Sequence, residues 1–259
     1  MIKRDTSERR SQISTMARER GSVQVADLAK RFRVSMQTIR KDLHFLTERG
    51  VIARSYGGAI SSDVVTTAAI EAPLAAKLEL QHAEKERIGR FAAGLIKPGE
   101  SIVLDSGTTT LQIARFLPDL EDITVVTNDF NILTELASKN HIRVVMIGGE
   151  LRRKNMAFYG AQTVAALSEL AVDKLFLGVD GIDLDRGITT HHEAEALLNR
   201  KMAEVAGQTI AVTDSSKFGR VCLHRIIDVG EVDMLISDQA MPEPVASACR
   251  NLGVDLHQV

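Results

Sequence analysis

SMQTIRKDLHFL, residues 35–46, places apolar and polar side chains on two different faces when it is drawn as an α-helix. The apolar face holds Met36, Ile39, Leu43 and Leu46, and the polar face holds Gln37, Arg40, Lys41 and His44. Ser35 stands just before this helix and can accept hydrogen bonds from its first unpaired amides. The pattern predicts a helix that packs on one face and is exposed on the other.

Two further helices are predicted before this one. The first begins near Ser7 and has Ile13 and Met16 on one face. The second has apolar residues at i, i+3, i+4 and i+7, namely Val25, Leu28, Ala29 and Phe32. Residues 51–59 predict a strand, a tight turn and a returning strand. Three short helices followed by a hairpin are typical of a winged helix-turn-helix.

Such a module presents the amino-terminal end of its third helix to the major groove of DNA. Candidates for contacts to base edges are Gln37 and Thr38, and candidates for phosphates or guanine are Arg40 and Lys41. Ser35 is expected to contact a phosphate as well as to cap the helix. In the wing, the candidates for the DNA backbone or the minor groove are Arg54, Tyr56, Gly57 and Gly58. The alternative for each is a solvated surface residue or, for the glycines, a structural turn.

The charge distribution favours a polyanionic partner for this end of the chain. Residues 1–60 contain 13 Lys and Arg and 6 Asp and Glu, a net charge of +7. The remaining residues contain 19 Lys and Arg and 28 Asp and Glu, a net charge of −9. A basic module joined to an acidic body is expected when one end meets nucleic acid, although a solvated basic face without a partner has the same charge.

The rest of the chain predicts an open, parallel-sheet α/β domain. Residues 61–80 are rich in Ser, Thr and Ala and predict a linker between a DNA-binding domain, 1–60, and a second, larger domain, 81–259. Apolar strands that alternate with helical segments are predicted at 101–104, 123–127, 143–147, 174–179, 209–213 and 233–237. Runs of Val, Ile and Leu are typical of a parallel sheet buried on both faces.

Polar residues follow these strands, where ligands of such sheets bind. They are Asp105, Ser106, Gly107, Thr108, Thr109, Thr110, Asn128, Gly149, Asp180 and Lys217. Small and hydroxyl side chains at the start of a helix present amides and hydroxyls to a phosphate, and Lys217 or Arg152 would add positive charge. The first loop lacks the Gly-Lys-Ser/Thr ending of a nucleotide P-loop, so ATP and GTP are not expected. The alternative is an ordinary strand-to-helix turn, and for Gly149 a structural turn.

One set of residues joins the third helix to the wing at fixed spacing. It comprises Thr38-Ile39-Arg40-Lys41-Asp42-Leu43, Leu46, Gly50, Arg54 and Gly57-Gly58-Ala59. With these residues the chain resembles the DeoR/GlpR family of sugar-catabolism repressors, and the resemblance continues through the second domain. It implies two partners, operator DNA and a phosphorylated sugar inducer.

The resemblance also implies a sensor domain with the fold of ribose-5-phosphate isomerase and the aminosugar-phosphate isomerases. The effector contacts that it implies are Asp105 to Thr110, Asn128, Gly149, Asp180, Glu193 and Lys217. Residues 175–206 look most similar to repressors of N-acetylgalactosamine and galactosamine use.

An alternative is that the second domain still isomerises a sugar phosphate, with Asp183, Glu193 or Glu195 as the general base. The isomerases follow their Asp-Gly-x-Asp motif with a lysine and a glycine-rich run, whereas this chain has Gly-Ile-Thr-Thr-His-His at 187–192. Asn-Arg-Lys at 199–201 stands where the isomerases have Arg-Glu-Lys. We therefore expect binding without turnover, and no cofactor.

Composition and motif spacing also limit the location and assembly of the protein. The apolar runs are far shorter than the roughly 20 residues that span a bilayer, so a cytoplasmic protein without a membrane partner is expected. Cys222 and Cys249 fit free thiols, and His191 and His192 have no standard metal-ligand spacing. Because one small DNA-binding module binds weakly, we expect a homodimer or homotetramer on paired half-sites.

Overall fold

The computed structural model describes residues 6–20, 22–48, 52–55, 58–61 and 71–259. The chain divides into two units, residues 1–69 and residues 70–259, and each is described by itself. Among the helices of these residues, none combines the length and the apolar character that crossing a lipid bilayer requires.

The first unit packs three helices with a small antiparallel sheet. The helices are α1 (Thr6–Arg20), α2 (Val25–Phe32) and α3 (Met36–Glu48). The strands, in the order β1-β3-β2, are β1 (Ser22–Gln24), β2 (Ile52–Ser55) and β3 (Gly58–Ser61). The hairpin of β2 and β3 pairs Ile52 with Ser61 and Ser55 with Gly58. The predicted helix-turn-helix with a following hairpin is confirmed.

The apolar stripes of the three helices form the core of this unit. Ile13, Leu28 and Ile39, one from each helix, lie fully buried in a common cluster. Ser35 caps α3, because its Oγ accepts the amide of Thr38 at 3.1 Å. Met36, which the pattern placed on the packed face, is instead 50% exposed as the first residue of the helix.

A seven-stranded parallel sheet forms the centre of the second unit. In chain order its strands are β4 (Ser101–Leu104), β5 (Ile123–Thr127), β6 (Ile142–Met146), β9 (Val172–Gly178), β12 (Ala206–Val212), β14 (Met234–Ser237) and β15 (Asp255–Gln258). Their order across the sheet is β15-β14-β12-β9-β4-β5-β6, and every neighbouring pair is parallel. All six strands predicted from the sequence belong to this sheet, and β15 is the strand that the sequence analysis missed.

Helices cover both faces of this sheet. They are α4 (Leu74–Glu79), α5 (His82–Ala93), α6 (Thr108–Phe116), α7 (Phe130–Leu136), α8 (Ala161–Ser168), α9 (Glu193–Val205) and α10 (Glu243–Asn251). Ile102 and Leu104 of β4 lie in one buried apolar cluster and Val103 lies in another. Since consecutive side chains of a strand point to opposite faces, the sheet is buried on both sides, as its Val, Ile and Leu runs predict.

Two smaller antiparallel sheets flank the central one. The first pairs β7 (Glu150–Arg152) with β8 (Ala157–Tyr159). The second has the order β10-β11-β13 and consists of β10 (Gly181–Asp183), β11 (Gly187–Thr190) and β13 (His224–Ile227). These short strands were not predicted, because three or four residues are too few for a clear alternation of apolar and polar side chains.

The segment before α5 packs into the second unit and corrects part of the predicted linker. Within residues 61–80, residues 74–79 form α4, and Glu71 is only 5% exposed. Pro73 stands at the start of α4, where its missing amide breaks no helical hydrogen bond. Glu71 is buried because three basic side chains surround its carboxylate. They are Lys77 at 3.3 Å, Lys154 at 3.4 Å and Arg152.

The strand order reverses between β4 and β9. From β4 the sheet continues to β5 and β6, and from β9 it continues in the opposite direction to β12, β14 and β15. The loops that leave the carboxyl ends of these two strands therefore diverge and open a crevice between them. This crevice is the position at which an open α/β sheet binds its ligand.

Candidate functional site

The crevice at the carboxyl ends of β4 and β9 is a pocket with polar walls. The loop after β4 and the start of α6 contribute residues 106–109, and the end of β9 with the loop after it contributes residues 178–180. The other walls come from helices α4, α5 and α9 and from nearby loops and strand ends. Their lining residues are Leu74, Lys77, Lys85, Asn155, Thr190, Glu195 and Lys217.

The loop after β4 presents the amino-terminal end of α6 to the pocket. Gly107 occupies the N-cap position and offers the first amides of the helix no side-chain acceptor. These amides, together with the dipole of a nine-residue helix, place partial positive charge at this wall. The hydroxyl of Tyr159 lies 2.9 Å from Ser106 Oγ and positions the loop. The arrangement fits an anionic group of a ligand.

Lys217 brings a basic side chain to the pocket. It ends a 3-10 turn, Ser215–Lys217, in which Asp214 accepts the amide of Ser216 at 3.1 Å. Burial lowers the pKa of Lys217, and the carboxylates of Asp180 and Asp214 act in the opposite direction. Its ammonium makes no hydrogen bond within the described part of the chain, so all three of its N–H groups can serve a ligand.

Asp180 and Lys77 form an ion pair in the pocket wall. Nζ of Lys77 lies 3.0 Å from Oδ1 of Asp180, and the hydroxyl of Thr190 donates to Oδ2 at 3.2 Å. Burial opposes the ionisation of Asp180, but nearby positive charges, above all Lys77, outweigh it and lower the pKa to about 2. Asp180 is therefore ionised at neutral pH and can accept hydrogen bonds from hydroxyl or ammonium groups.

Glu195 brings an unpartnered carboxyl group to the pocket. It lies in the first turn of α9, is 7% exposed, and its Oε2 has no hydrogen-bond partner among the described residues. Burial, and then the neighbouring carboxylates of Asp180 and Asp105, raise its pKa. Since buried polar atoms are rarely left unpaired, this oxygen is available to a ligand group or a water molecule that completes its hydrogen bonding.

Asp105 supports the pocket from beneath. Its Oδ2 accepts the amide of Gly178 at 3.2 Å and Nδ2 of Asn199 at 2.9 Å, which connects β4 to β9 and α9. Burial raises the pKa of Asp105 to about 7, although these hydrogen bonds favour the ionised form. Thr110 is buried in the same layer, where its hydroxyl donates to the carbonyl of Gly107 at 2.9 Å.

The structure brings half of the predicted effector residues together. Those that line the pocket are Ser106, Gly107, Thr108, Thr109, Asp180 and Lys217. Three others are not among the residues that line the pocket. Asn128 donates to the carbonyl of Phe158 at 3.0 Å, and Glu193 is exposed at the start of α9. Arg152 pairs with Glu71. Their role as effector contacts stays a prediction.

Gly149 is held in close packing before β7. Its φ is +157°, and a Cβ built there would lie 2.3 Å from Thr163 Oγ1 and 2.5 Å from the carbonyl oxygen of Tyr159. No side chain larger than hydrogen fits this approach of two main-chain segments. The packing favours the structural alternative for this glycine.

Sequence reasoning missed several pocket residues because it looked only at strand ends. Leu74 and Lys77 lie in the segment interpreted as a linker, and Lys85 lies in a helix that precedes the first strand of the sheet. Thr190 ends a short strand that was not predicted. The lysines in an otherwise Ala-rich stretch were the available signal.

Four of the predicted DNA-reading residues are exposed on the first unit. Ser35, Gln37, Arg40 and Lys41 are exposed, and Thr38 is partly buried. Gly58 begins β3 in the wing hairpin, and Arg54 is the third residue of β2. Tyr56, Gly57 and the side chain of Arg54 lie outside the described residues.

A buried ion cluster fixes α3 to α1 beneath this surface. Asp42 is 1% exposed, and its two carboxylate oxygens lie 2.7 Å from Nε of Arg9 and 2.9 Å from Nε of Arg10. Arg9 is itself buried. The orientation of the exposed face of α3 therefore depends on this cluster.

Comparison with known proteins assigns both units. Residues 9–65 match the family described as DeoR-like helix-turn-helix domain, and residues 80–239 match the DeoR C terminal sensor domain. A protein of Escherichia coli O157:H7, named provisionally as the aga operon transcriptional repressor, is 46% identical over 97% of this chain and 93% of its own. The glycerol-3-phosphate regulon repressor of Escherichia coli K12 is 32% identical over 93% of each chain. The solved structure of ribose 5-phosphate isomerase A from Methanocaldococcus jannaschii, 18% identical, covers 53% of this chain and 55% of that chain with a TM-score of 0.40.

Proposed function

The chain belongs to the DeoR family of DNA-binding transcription regulators, and from this premise we propose that it represses a carbohydrate catabolic operon under the control of a phosphorylated sugar. The observation that carries the proposal is the pocket, where the uncapped start of α6, Lys217 and the unpartnered Glu195 meet at the switch point of the sheet. Amides and an ammonium suit a phosphate, and carboxyl groups suit the hydroxyl or amino groups of a sugar.

The first unit reads operator DNA in this proposal. Gln37 and Thr38 at the start of α3 contact base edges, and Arg40 and Lys41 contact guanine or phosphates. The wing contacts the backbone or the minor groove. The protein acts in the cytoplasm as a homodimer or homotetramer, because two modules on paired half-sites multiply a weak single-site affinity.

The sugar phosphate acts by binding preferentially the conformation whose DNA-binding modules do not match the operator. Binding of the sugar phosphate and binding of DNA are thermodynamically linked, so each lowers the affinity of the protein for the other by the same factor. An amino-sugar phosphate is the favoured class, supported by the name of the 46% identical relative and by the two carboxyl groups in the pocket.

Binding occurs without turnover in this proposal. Arg200, at the position where the isomerases carry the glutamate of Arg-Glu-Lys, donates from Nη1 to the carbonyl of Arg225. A guanidinium supplies no general base, and the neighbouring Asn199 is buried, donates to Asp105 and positions the loop after β4. Conversion of galactosamine 6-phosphate or ribose 5-phosphate by the purified protein would contradict this part of the proposal.

We expect one phosphorylated sugar to stabilise the full-length protein and to release it from DNA. A thermal-shift panel would contain galactosamine 6-phosphate, its N-acetyl form and the two unphosphorylated sugars. Ligand at 100 times its dissociation constant stabilises the fold by about 2.7 kcal/mol. Lys217→Met should lose the shift, and Lys97→Met, which removes an exposed lysine outside the pocket, should keep it. Stabilisation by the unphosphorylated sugars alone, or by none of the four, would contradict an amino-sugar phosphate effector.

Arg40→Ala should weaken operator binding by about 1–3 kcal/mol if Arg40 contacts a guanine. The measurement is fluorescence anisotropy on a DNA fragment selected in vitro with the wild-type protein. Arg87→Ala is the matched control, because it removes an exposed arginine of α5. Equal affinities of the two variants for the selected fragment would remove Arg40 from the reading surface.

A further inference from the structure

The segment Glu71–Leu80, here called the strap, forms one wall of the pocket. Its helix α4 has no fully buried residue, and Leu78 packs its partly buried side chain against an apolar cluster of the domain. Ion pairs also hold the strap, from Glu71 to Arg152 and from Lys77 to Asp180. Burial opposes the ionisation of Glu71, but the hydrogen bond from Arg152 and then the charge of Lys77 outweigh it and lower the pKa to about 2. Charged side chains therefore contribute to holding this wall of the pocket in place.

Lys85 of α5 fastens the end of the strap. It is 3% exposed, and its Nζ donates to the carbonyl oxygens of Lys77 at 2.5 Å and Leu80 at 2.6 Å. Both carbonyls belong to the last turn and C-cap of α4, where carbonyl groups have no partner within the helix and carry partial negative charge. The ammonium thus takes the place of a helix C-cap.

Lys85 also belongs to the pocket wall. An ammonium group has three N–H donors, and two of those of Lys85 serve the strap. Lys85 lines the pocket together with Gly107, Thr108 and Lys217. Burial lowers the pKa of Lys85 to about 8, with Lys217 and Lys77 acting in the same direction and Asp214 and Glu84 opposing them. An anion beside this group would relieve an unfavourable buried charge.

We propose that Lys85 binds the anionic group of the pocket ligand with its third N–H and so couples occupancy of the pocket to the position of the strap. The inference rests on the proposed function for the location of the anion. A bound phosphate or sulfate strengthens the charged state of Lys85, and the charged state is the one that holds the carbonyls of Lys77 and Leu80. By linkage, a held strap raises the affinity for the anion by the same factor. In the amino-acid sequence, the strap comes after the DNA-binding unit.

The test uses sulfate as the probe on the full-length protein. Thermal midpoints are measured against sulfate concentration, with chloride at equal ionic strength as the reference. Sulfate also stabilises proteins without binding a site, and this contribution rises without saturation and is common to all variants. We expect a saturable component in the wild type that Lys85→Met weakens at least tenfold and that Lys97→Met leaves unchanged.

Hydrogen exchange gives the second readout. It is measured first on the wild-type protein, so it does not require that a variant folds. In the wild type, sulfate should slow exchange at the amides of the strap, residues 74–80. Lys85→Arg, which keeps the charge, should retain part of the effect if Lys85→Met does not fold. A wild type without saturable sulfate binding, or a strap whose exchange is unchanged by sulfate, would overturn the inference.

The failure of this inference can be told apart from the failure of the proposed function. If a sugar phosphate releases operator DNA while Lys85→Met binds sulfate as the wild type does, only the role of Lys85 is wrong. If sulfate protects the strap through Lys85 while no sugar phosphate affects DNA binding, the anion site stands and the effector class is wrong.

Discussion

Asp42→Ala should destabilise the first unit by about 3–5 kcal/mol and abolish operator binding. Asp42 is the shared acceptor of Arg9 and Arg10, and its removal leaves the charge of Arg9 buried without a partner. Removing one member of a buried ion pair has this cost because the remaining ion is no longer hydrated and has no opposite charge beside it. The loss is comparable to the whole stability of a small domain, so the unit should be largely unfolded near physiological temperature.

The measurement is differential scanning calorimetry of the full-length variant, with operator binding followed by fluorescence anisotropy. Asp27→Ala is the matched control, since Asp27 is an exposed aspartate in the first turn of α2 and should contribute no more than about 1 kcal/mol. A variant of Asp42 that melts and binds DNA like the wild type would show that the cluster does not hold α3 in place.

Asp105→Asn should stabilise the second unit at pH 8 and leave it nearly unchanged at pH 5. Burial raises the pKa of Asp105 to about 7, above the value of about 3.9 in an unfolded chain. The native state therefore binds this proton more tightly, so the contribution of Asp105 to stability falls as the pH rises from about 4 to about 7. Above pH 7 the full penalty corresponds to about 4 kcal/mol.

Asparagine avoids the buried charge and keeps the acceptor. Its Oδ1 can take the amide of Gly178 and Nδ2 of Asn199, and its own amide would replace Oδ1 of Asp105, which has no partner in the described structure. The unpaired amide costs roughly 1–3 kcal/mol, so the net gain at pH 8 is smaller than the full penalty.

Urea unfolding at pH 5 and pH 8, followed by circular dichroism, measures the difference between wild type and variant. Asp185→Asn, at an exposed aspartate in the turn between β10 and β11, is the control and should show the same difference at both pH values. If Asp105→Asn is no more stable relative to wild type at pH 8 than at pH 5, Asp105 is not the proton-binding group inferred here.

The sequence by itself determined the local structure and the part of the site that lies at the ends of strands. The stripe of Ile39, Leu43 and Leu46 required a helix packed on one face, and Ser35 marked its beginning. The runs of Val, Ile and Leu required a sheet covered on both faces. These features follow from the periodicity of neighbouring residues, which a single stretch of sequence contains in full. For the same reason the loop at 106–109 and Lys217 could be placed at strand ends.

Only the tertiary structure decided which charges share the pocket. Lys77 meets Asp180, 103 positions further along the chain, and Glu71 meets Arg152, 81 positions further. Lys85 reaches the same pocket because the order of strands reverses between β4 and β9, and no local pattern reports that order. Contacts between such distant positions depend on how the elements pack, and packing depends on the whole set of apolar faces rather than on any one segment. The strap therefore had the composition of a linker and became a wall of the site.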